Sequence, residues 1–128
     1  MLLRCNQSFS HSDVQNSLFV VSYFLEVAIP NEQNIHCVDW NLQHGWIACG
    51  GEEGLVKVLK LGSNGPENSK NPTNLAMNQT LEGHGGRVNV IRWNSHFQKL
   101  TTADENGLII VWMLHRGMWY EEMVSFPD

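Results

Sequence analysis

The stretch Ile47-Ala48-Cys49-Gly50-Gly51-Glu52-Glu53-Gly54-Leu55-Val56-Lys57-Val58-Leu59-Lys60-Leu61 recurs 53 positions later as Leu100-Thr101-Thr102-Ala103-Asp104-Glu105-Asn106-Gly107-Leu108-Ile109-Ile110-Val111-Trp112-Met113-Leu114. The same displacement carries Cys37-Val38-Asp39-Trp40-Asn41 onto Val90-Ile91-Arg92-Trp93-Asn94. These blocks hold one offset without a gap. A fixed register over that length marks an internal repeat.

Each copy reads as a series of short strands. The first alternates apolar and polar residues and closes on Trp-Asn. A turn follows, around Gln43-His44-Gly45 in one copy and Ser95-His96-Phe97-Gln98 in the other. The second strand runs into an acidic turn closed by glycine, where Asn-Gly or its equivalent supplies positive φ. The third is almost continuously apolar or β-branched, the pattern of a strand buried on both faces. Fourth strands fit Met77–Leu81 and Met118–Met123. Residues 62–76 hold breakers and little apolar periodicity, so they read as an inserted loop. That loop stretches the period beyond the ~40–45 residues of a propeller blade.

The expected fold is therefore all-β: a partial β-propeller of about two four-stranded antiparallel blades, with one extra amino-terminal strand, not a closed ring. A sandwich would give no reason for a repeat in this register. The extra strand is placed over Tyr23–Ile29 and stops at Pro30, which cannot donate to a ladder. Residues 1–22 read as a flexible extension. Blade one spans about 31–82, blade two about 83–123, and 124–128 form a tail. Propellers close with ~4–8 blades, so two blades leave flanks facing water, and marginal stability is expected of them alone.

Composition narrows the function. The chain has 128 residues and a formal net charge of −5, with 13 acidic residues against 8 basic ones. No basic footprint for nucleic acid is present. The longest apolar stretches fall far short of the ~20 residues of a membrane helix, and the run Leu18 to Leu25 is broken by Ser22. It also lacks the flanks of a secretory signal. Three cysteines (Cys5, Cys37, Cys49) without C-x-x-C spacing argue against a disulfide framework or a zinc ribbon, and make a reducing compartment the default.

Leu81-Glu82-Gly83-His84, Val90-Ile91-Arg92-Trp93-Asn94 and Leu108-Ile109-Ile110-Val111-Trp112 together resemble a WD repeat. The resemblance implies a buried tetrad of His84, Thr102, Asn106 and Trp112. Asn106 stands where such repeats usually have Asp, and Met113 replaces the Asp of the Trp-Asp pair. Blade one has Asn31, Cys49, Glu53 and Leu59 at the corresponding places and no tetrad. Longer blocks are similar to the WD-repeat subunit of intraflagellar transport complex A. These include Ala28-Ile29-Pro30-Asn31, Trp46-Ile47-Ala48-Cys49-Gly50-Gly51, Met77 through His84, Gln98-Lys99-Leu100-Thr101-Thr102 and Asp104 through Met113, within about residues 23–123. A weaker similarity is to the WD-repeat portion of a tubby-like protein.

The first resemblance implies a non-enzymatic interaction scaffold in retrograde transport, cilium assembly and ciliary membrane cargo delivery. Its partners would be other subunits of that complex and ciliary cargo proteins, at the cilium, the ciliary base and in the cytoplasm. The second implies a substrate adaptor for a ubiquitin ligase.

No catalytic, cofactor-binding or metal site is expected. His84 lacks a nucleophile tied to it by motif, and Gly50-Gly51 and Gly85-Gly86 read as turn glycines rather than a phosphate cradle. Cys37 and Cys49 read as small core residues on adjacent strands. Glu52, Glu53, Asp104 and Glu105 fall at equivalent turns on one rim. They are solvated turn residues or, functionally, a rim facing a basic partner. Trp119 and Tyr120 lie on the outer strand, where aromatics can mark an interface.

Overall fold

The computed structural model describes residues 2–5, 33–41, 44–62, 75–94, 96 and 98–128. They form two sheets. The first is ordered β1 (Leu2–Cys5), β2 (Ile35–Asn41), β3 (Trp46–Gly51), β4 (Val56–Leu61) and β5 (Leu75–Thr80). The second is ordered β6 (Val88–Asn94), β7 (Lys99–Asp104), β8 (Ile109–His115) and β9 (Met118–Ser125). Strands β2–β5 and β6–β9 are antiparallel meanders, whereas β1 pairs in parallel with β2.

The two four-stranded units are as expected from the repeat. Strand β1 falls within the stretch read as an extension, while the strand expected over Tyr23–Ile29 lies outside the described residues. So do positions 63–74 of the inserted loop and Asn31. Both fourth strands are longer than expected: β5 begins at Leu75 and β9 runs on to Ser125.

The repeat is reproduced in the backbone register. Ile35 opposes Gly51 and Trp40 opposes Ile47, just as Val88 opposes Asp104 and Trp93 opposes Leu100. A bulge follows the first pair in both sheets, between Ile35 and Cys37 and between Val88 and Val90. The third strands repeat too, with Trp46 opposite Lys60 and Lys99 opposite Met113. At the β3–β4 turn Gly54 has φ 75°, and a Cβ there would lie 1.9 Å from the His84 carbonyl oxygen. Both the left-handed backbone and the close approach demand glycine.

The sheets pack face to face. Cys37, Ala48, Val56 and Val58 of the first form one buried cluster with Val88, Ile91, Leu100, Ile110, Trp112 and Trp119 of the second. Strand side chains alternate between faces, so Val38, Trp40, Ile47, Cys49 and Leu59 occupy the other face of the first sheet, and they are buried as well. The second sheet differs. Val90 is 42% exposed, Ile109 39% and Met123 55%. These are the repeat equivalents or neighbours of residues that blade one buries against blade two. The expectation that β8 is buried on both faces is therefore corrected: Ile110 and Trp112 are buried, but alternate positions are not.

Candidate functional site

The connection from β5 to β6 carries Leu81 through Arg87 across the top of the seam. Leu81 is anchored by its N–H, which donates to the Val56 carbonyl at 2.9 Å. Gly83 lies over the second sheet, where a Cβ would meet Ile110 Cδ1 at 2.8 Å. His84 then turns inward. Its Nδ1 lies 2.8 Å from Asp104 Oδ2 and its Nε2 lies 2.6 Å from Thr102 Oγ1. Trp112 Nε1–H donates to the same hydroxyl at 2.9 Å.

A carboxylate can only accept, so Nδ1 carries a proton. Nε2 and the Thr102 hydroxyl share the next bond, and the same hydroxyl oxygen accepts from the indole and lies 3.5 Å from the Ile110 carbonyl oxygen. Every buried polar atom of the imidazole and of the Trp112 indole thus has a partner.

His84, Thr102 and Trp112 are brought together in one hydrogen-bonded chain, but Asn106 is not its fourth member; Asp104 is. Strand β7 continues through Asp104, and period-two alternation puts residues 102 and 104 on one face, both buried. Asn106 lies beyond the strand end, in the turn. Its N–H donates to Asp104 Oδ1 at 2.9 Å, and the Leu108 N–H joins it at 3.2 Å.

The same geometry corrects the placing of Asp104 on a partner-facing rim, since its side chain is only 1% exposed. Burial alone would raise its carboxyl. The hydrogen bond with His84, the Leu108 and Asn106 N–H groups and the attraction of His84 outweigh burial and hold it below the usual carboxylate value. The other three acidic positions do lie at the surface. Glu53 is exposed, Glu52 Oε1 is 2.6 Å from His36 Nε2, and Glu105 Oε1 accepts the Arg87 N–H at 3.0 Å.

Thr102, His84 and Asp104 are spaced like a nucleophile, base and orienting acid. The side chains of His84 and Asp104 are 0% and 1% exposed, and Thr102 is fully buried with its hydroxyl already engaged. No substrate atom can reach this chain from solvent. Its chemistry is that of a lock between the β5–β6 connection and the second sheet.

Sequence reading missed the contacts that join the two sheets. At the inner end, Asp39 Oδ2 accepts the Trp93 backbone N–H at 2.8 Å, and the Asp39 carbonyl accepts Trp93 Nε1–H at 3.0 Å. At the outer end, Gln79 Nε2 donates to the Trp119 carbonyl at 2.9 Å, and Gln79 Oε1 accepts the Trp119 N–H at 2.9 Å. Trp119 is buried in this seam and Tyr120 is 54% exposed. Cys37 and Cys49 are buried thiols, and burial first, with the nearby Cys37 next, pushes the Cys49 thiol up to about 12. Among the described residues no group of three or more His, Cys, Asp or Glu could hold a metal ion, and no helix is long and apolar enough to cross a membrane.

With this architecture in place, the sequence profile described as "WDR35/TULP4 N-terminal", a β-propeller domain, matches residues 21–127. The chain belongs to the WDR35/TULP4 N-terminal β-propeller family. It is 56% identical over 104 residues to human WD repeat-containing protein 35, covering 78% of this chain and 9% of that protein. The mouse protein of the same name is 53% identical over the same coverage. Human Tubby-related protein 4 is 30% identical over 112 residues, 74% of this chain and 7% of that protein. The chain thus spans less than a tenth of the length of these relatives. The two sheets are WD-repeat propeller blades of the WDR35/TULP4 type.

Proposed function

We propose that this chain is propeller material of a non-enzymatic interaction scaffold in intraflagellar transport complex A, acting in retrograde transport, cilium assembly and delivery of membrane cargo to cilia. The observation that carries the reading is the 56% identity to WD repeat-containing protein 35, whose name states only the repeat; the ciliary role is our inference. The sealed Thr102–His84–Asp104 chain supports a structural rather than a catalytic use of this arrangement, although its spacing resembles active-site chemistry. Partners would be other subunits of the complex and ciliary cargo, met at the cilium, the ciliary base and in the cytoplasm. Glu52, Glu53 and Glu105 form the rim offered to a basic partner surface.

The test is affinity purification of the tagged chain from ciliated cells. Recovery of transport-complex subunits, with tagged protein at the ciliary base, is expected. Their absence from both would end the reading. A second reading, a tubby-like substrate adaptor for a ubiquitin ligase, is favoured by the 30% identity to Tubby-related protein 4. Recovery of ubiquitin-ligase subunits in place of transport subunits would select it.

A further inference from the structure

On the rim opposite His84, a cavity of about 210 Å³ opens at the seam between the sheets. Three indoles line it beside Leu114, Lys60 and the polar residues Asn41, His44, Asn94 and Gln98. Trp46 and Trp93 lie 5.9 Å apart between centroids, Trp46 meets Trp119 edge-on at 5.4 Å, and Trp93 and Trp119 lie 5.2 Å apart. Trp46 and Trp93 are only half-buried, so indole surface is open to a visitor. Among the described residues one lysine or arginine lines the cavity, Lys60, with its Nζ 4.3 Å from the Trp46 ring centroid and donating to the His44 carbonyl at 3.2 Å. Among the described residues no carboxylate lines the cavity and Lys60 meets none.

A pocket with three indoles and, among the described residues, one lysine at its lip favours a ligand that is apolar in the middle and anionic at one end. Indole surface supplies contact area at low entropic cost, and an ammonium beside it offers a charge-assisted bond to an anionic group. The charge pattern sets this rim apart from the opposite one, which carries Glu52, Glu53 and Glu105 on a chain of net charge −5.

We infer that this cavity is a peptide-binding site: it takes a short segment of a partner protein that places a leucine or phenylalanine side chain between the indoles and an aspartate or glutamate on Lys60. The inference deepens the scaffold reading and rests on it. Peptide binding and co-purification with transport subunits can fail separately, so the two remain distinguishable.

The test uses the full chain, labelled with nitrogen-15, titrated with a capped aspartate–leucine–phenylalanine–aspartate peptide while the indole N–H resonances are followed. Saturable shifts at Trp46, Trp93 and Trp119 are expected, with amides around His84 unmoved. The same peptide with asparagine at both acidic positions should bind about tenfold more weakly, as should the acidic peptide to Lys60→Glu. Lys60→Gln, which adds no repulsion, provides a second variant expected to weaken binding less than Lys60→Glu. No saturable shift, equal affinity for the acidic and amide peptides, or undiminished binding to both Lys60 variants would overturn the site. If 3-phenylpropionate bound as tightly as the peptide, the assignment to a peptide rather than a small free acid would fall.

Discussion

Replacing Thr102 separates hydrogen bonding from packing at the centre of blade two. Thr102→Val keeps the volume and the β-branch but removes the oxygen that serves both His84 Nε2 and Trp112 Nε1. Two buried polar atoms then lose their partner, and each costs about 1–3 kcal/mol when it cannot reach water. Because the two share one hydroxyl, the losses are not fully additive, and a total of about 2–5 kcal/mol is expected. Thr102→Ser keeps the oxygen and loses one buried methyl, at about 1 kcal/mol. Packing alone would rank the variants in the opposite order. Urea unfolding followed by tryptophan fluorescence measures both, with Thr101→Val, on the partly exposed face, as the control expected within about 0.5 kcal/mol of the parent. Valine costing no more than serine would refute the hydrogen-bonded chain as the stabilising element. If the valine variant does not fold, the ranking is read from soluble yield and protease resistance at low temperature, and serine above valine is still required.

Other perturbations test the remaining contacts. Asp104 has a lowered carboxyl pKa in the folded chain, so its contribution is complete above the unfolded value of about 3.9 and is lost as pH falls through the lower folded value. The stability gap between the parent and Asp104→Asn, from urea midpoints, should be flat from pH 7 to about pH 5 and shrink below pH 4; a gap constant down to pH 3 would contradict it. Gln79→Ala removes both bonds to the Trp119 backbone and is expected to cost about 1–2 kcal/mol and weaken the near-ultraviolet circular dichroism of the indole cluster. Gly54→Ala places a methyl against the His84 carbonyl in a left-handed backbone, and a loss of about 2 kcal/mol or more in the same urea assay is expected. Unchanged midpoints would count against either contact.

The strands of each blade were legible because both copies answer the same physical demand. A strand pinned by Trp40 or Trp93 at one end and a glycine-closed hairpin at the other has little freedom of register, and the shared bulge after Ile35 and Val88 reflects that. The repeat fades at the outer strands, where the bulge falls at Lys60/Leu61 in one sheet and at Val111/Trp112 in the other. Asp104 was within reach of sequence reasoning, since two residues after Thr102 on a continuing strand is the same face. Counting along the family turn led instead to Asn106. The seam was not legible: Asp39 and Trp93 are 54 residues apart and Gln79 and Trp119 are 40, and no periodicity links them. Nor could the apolar run of β8 reveal that Ile109 is half-open, because a run of this kind looks the same whether one face or two are covered.

The central claim is that these residues form two consecutive blades locked face to face through the tryptophan seam. Proton–proton contacts measured by nuclear magnetic resonance test it most directly. Cross-peaks are expected between the ring protons of Trp46 on β3 and those of Trp119 on β9, whose centroids are 5.4 Å apart. A well-dispersed spectrum of folded sheets without those cross-peaks would contradict it.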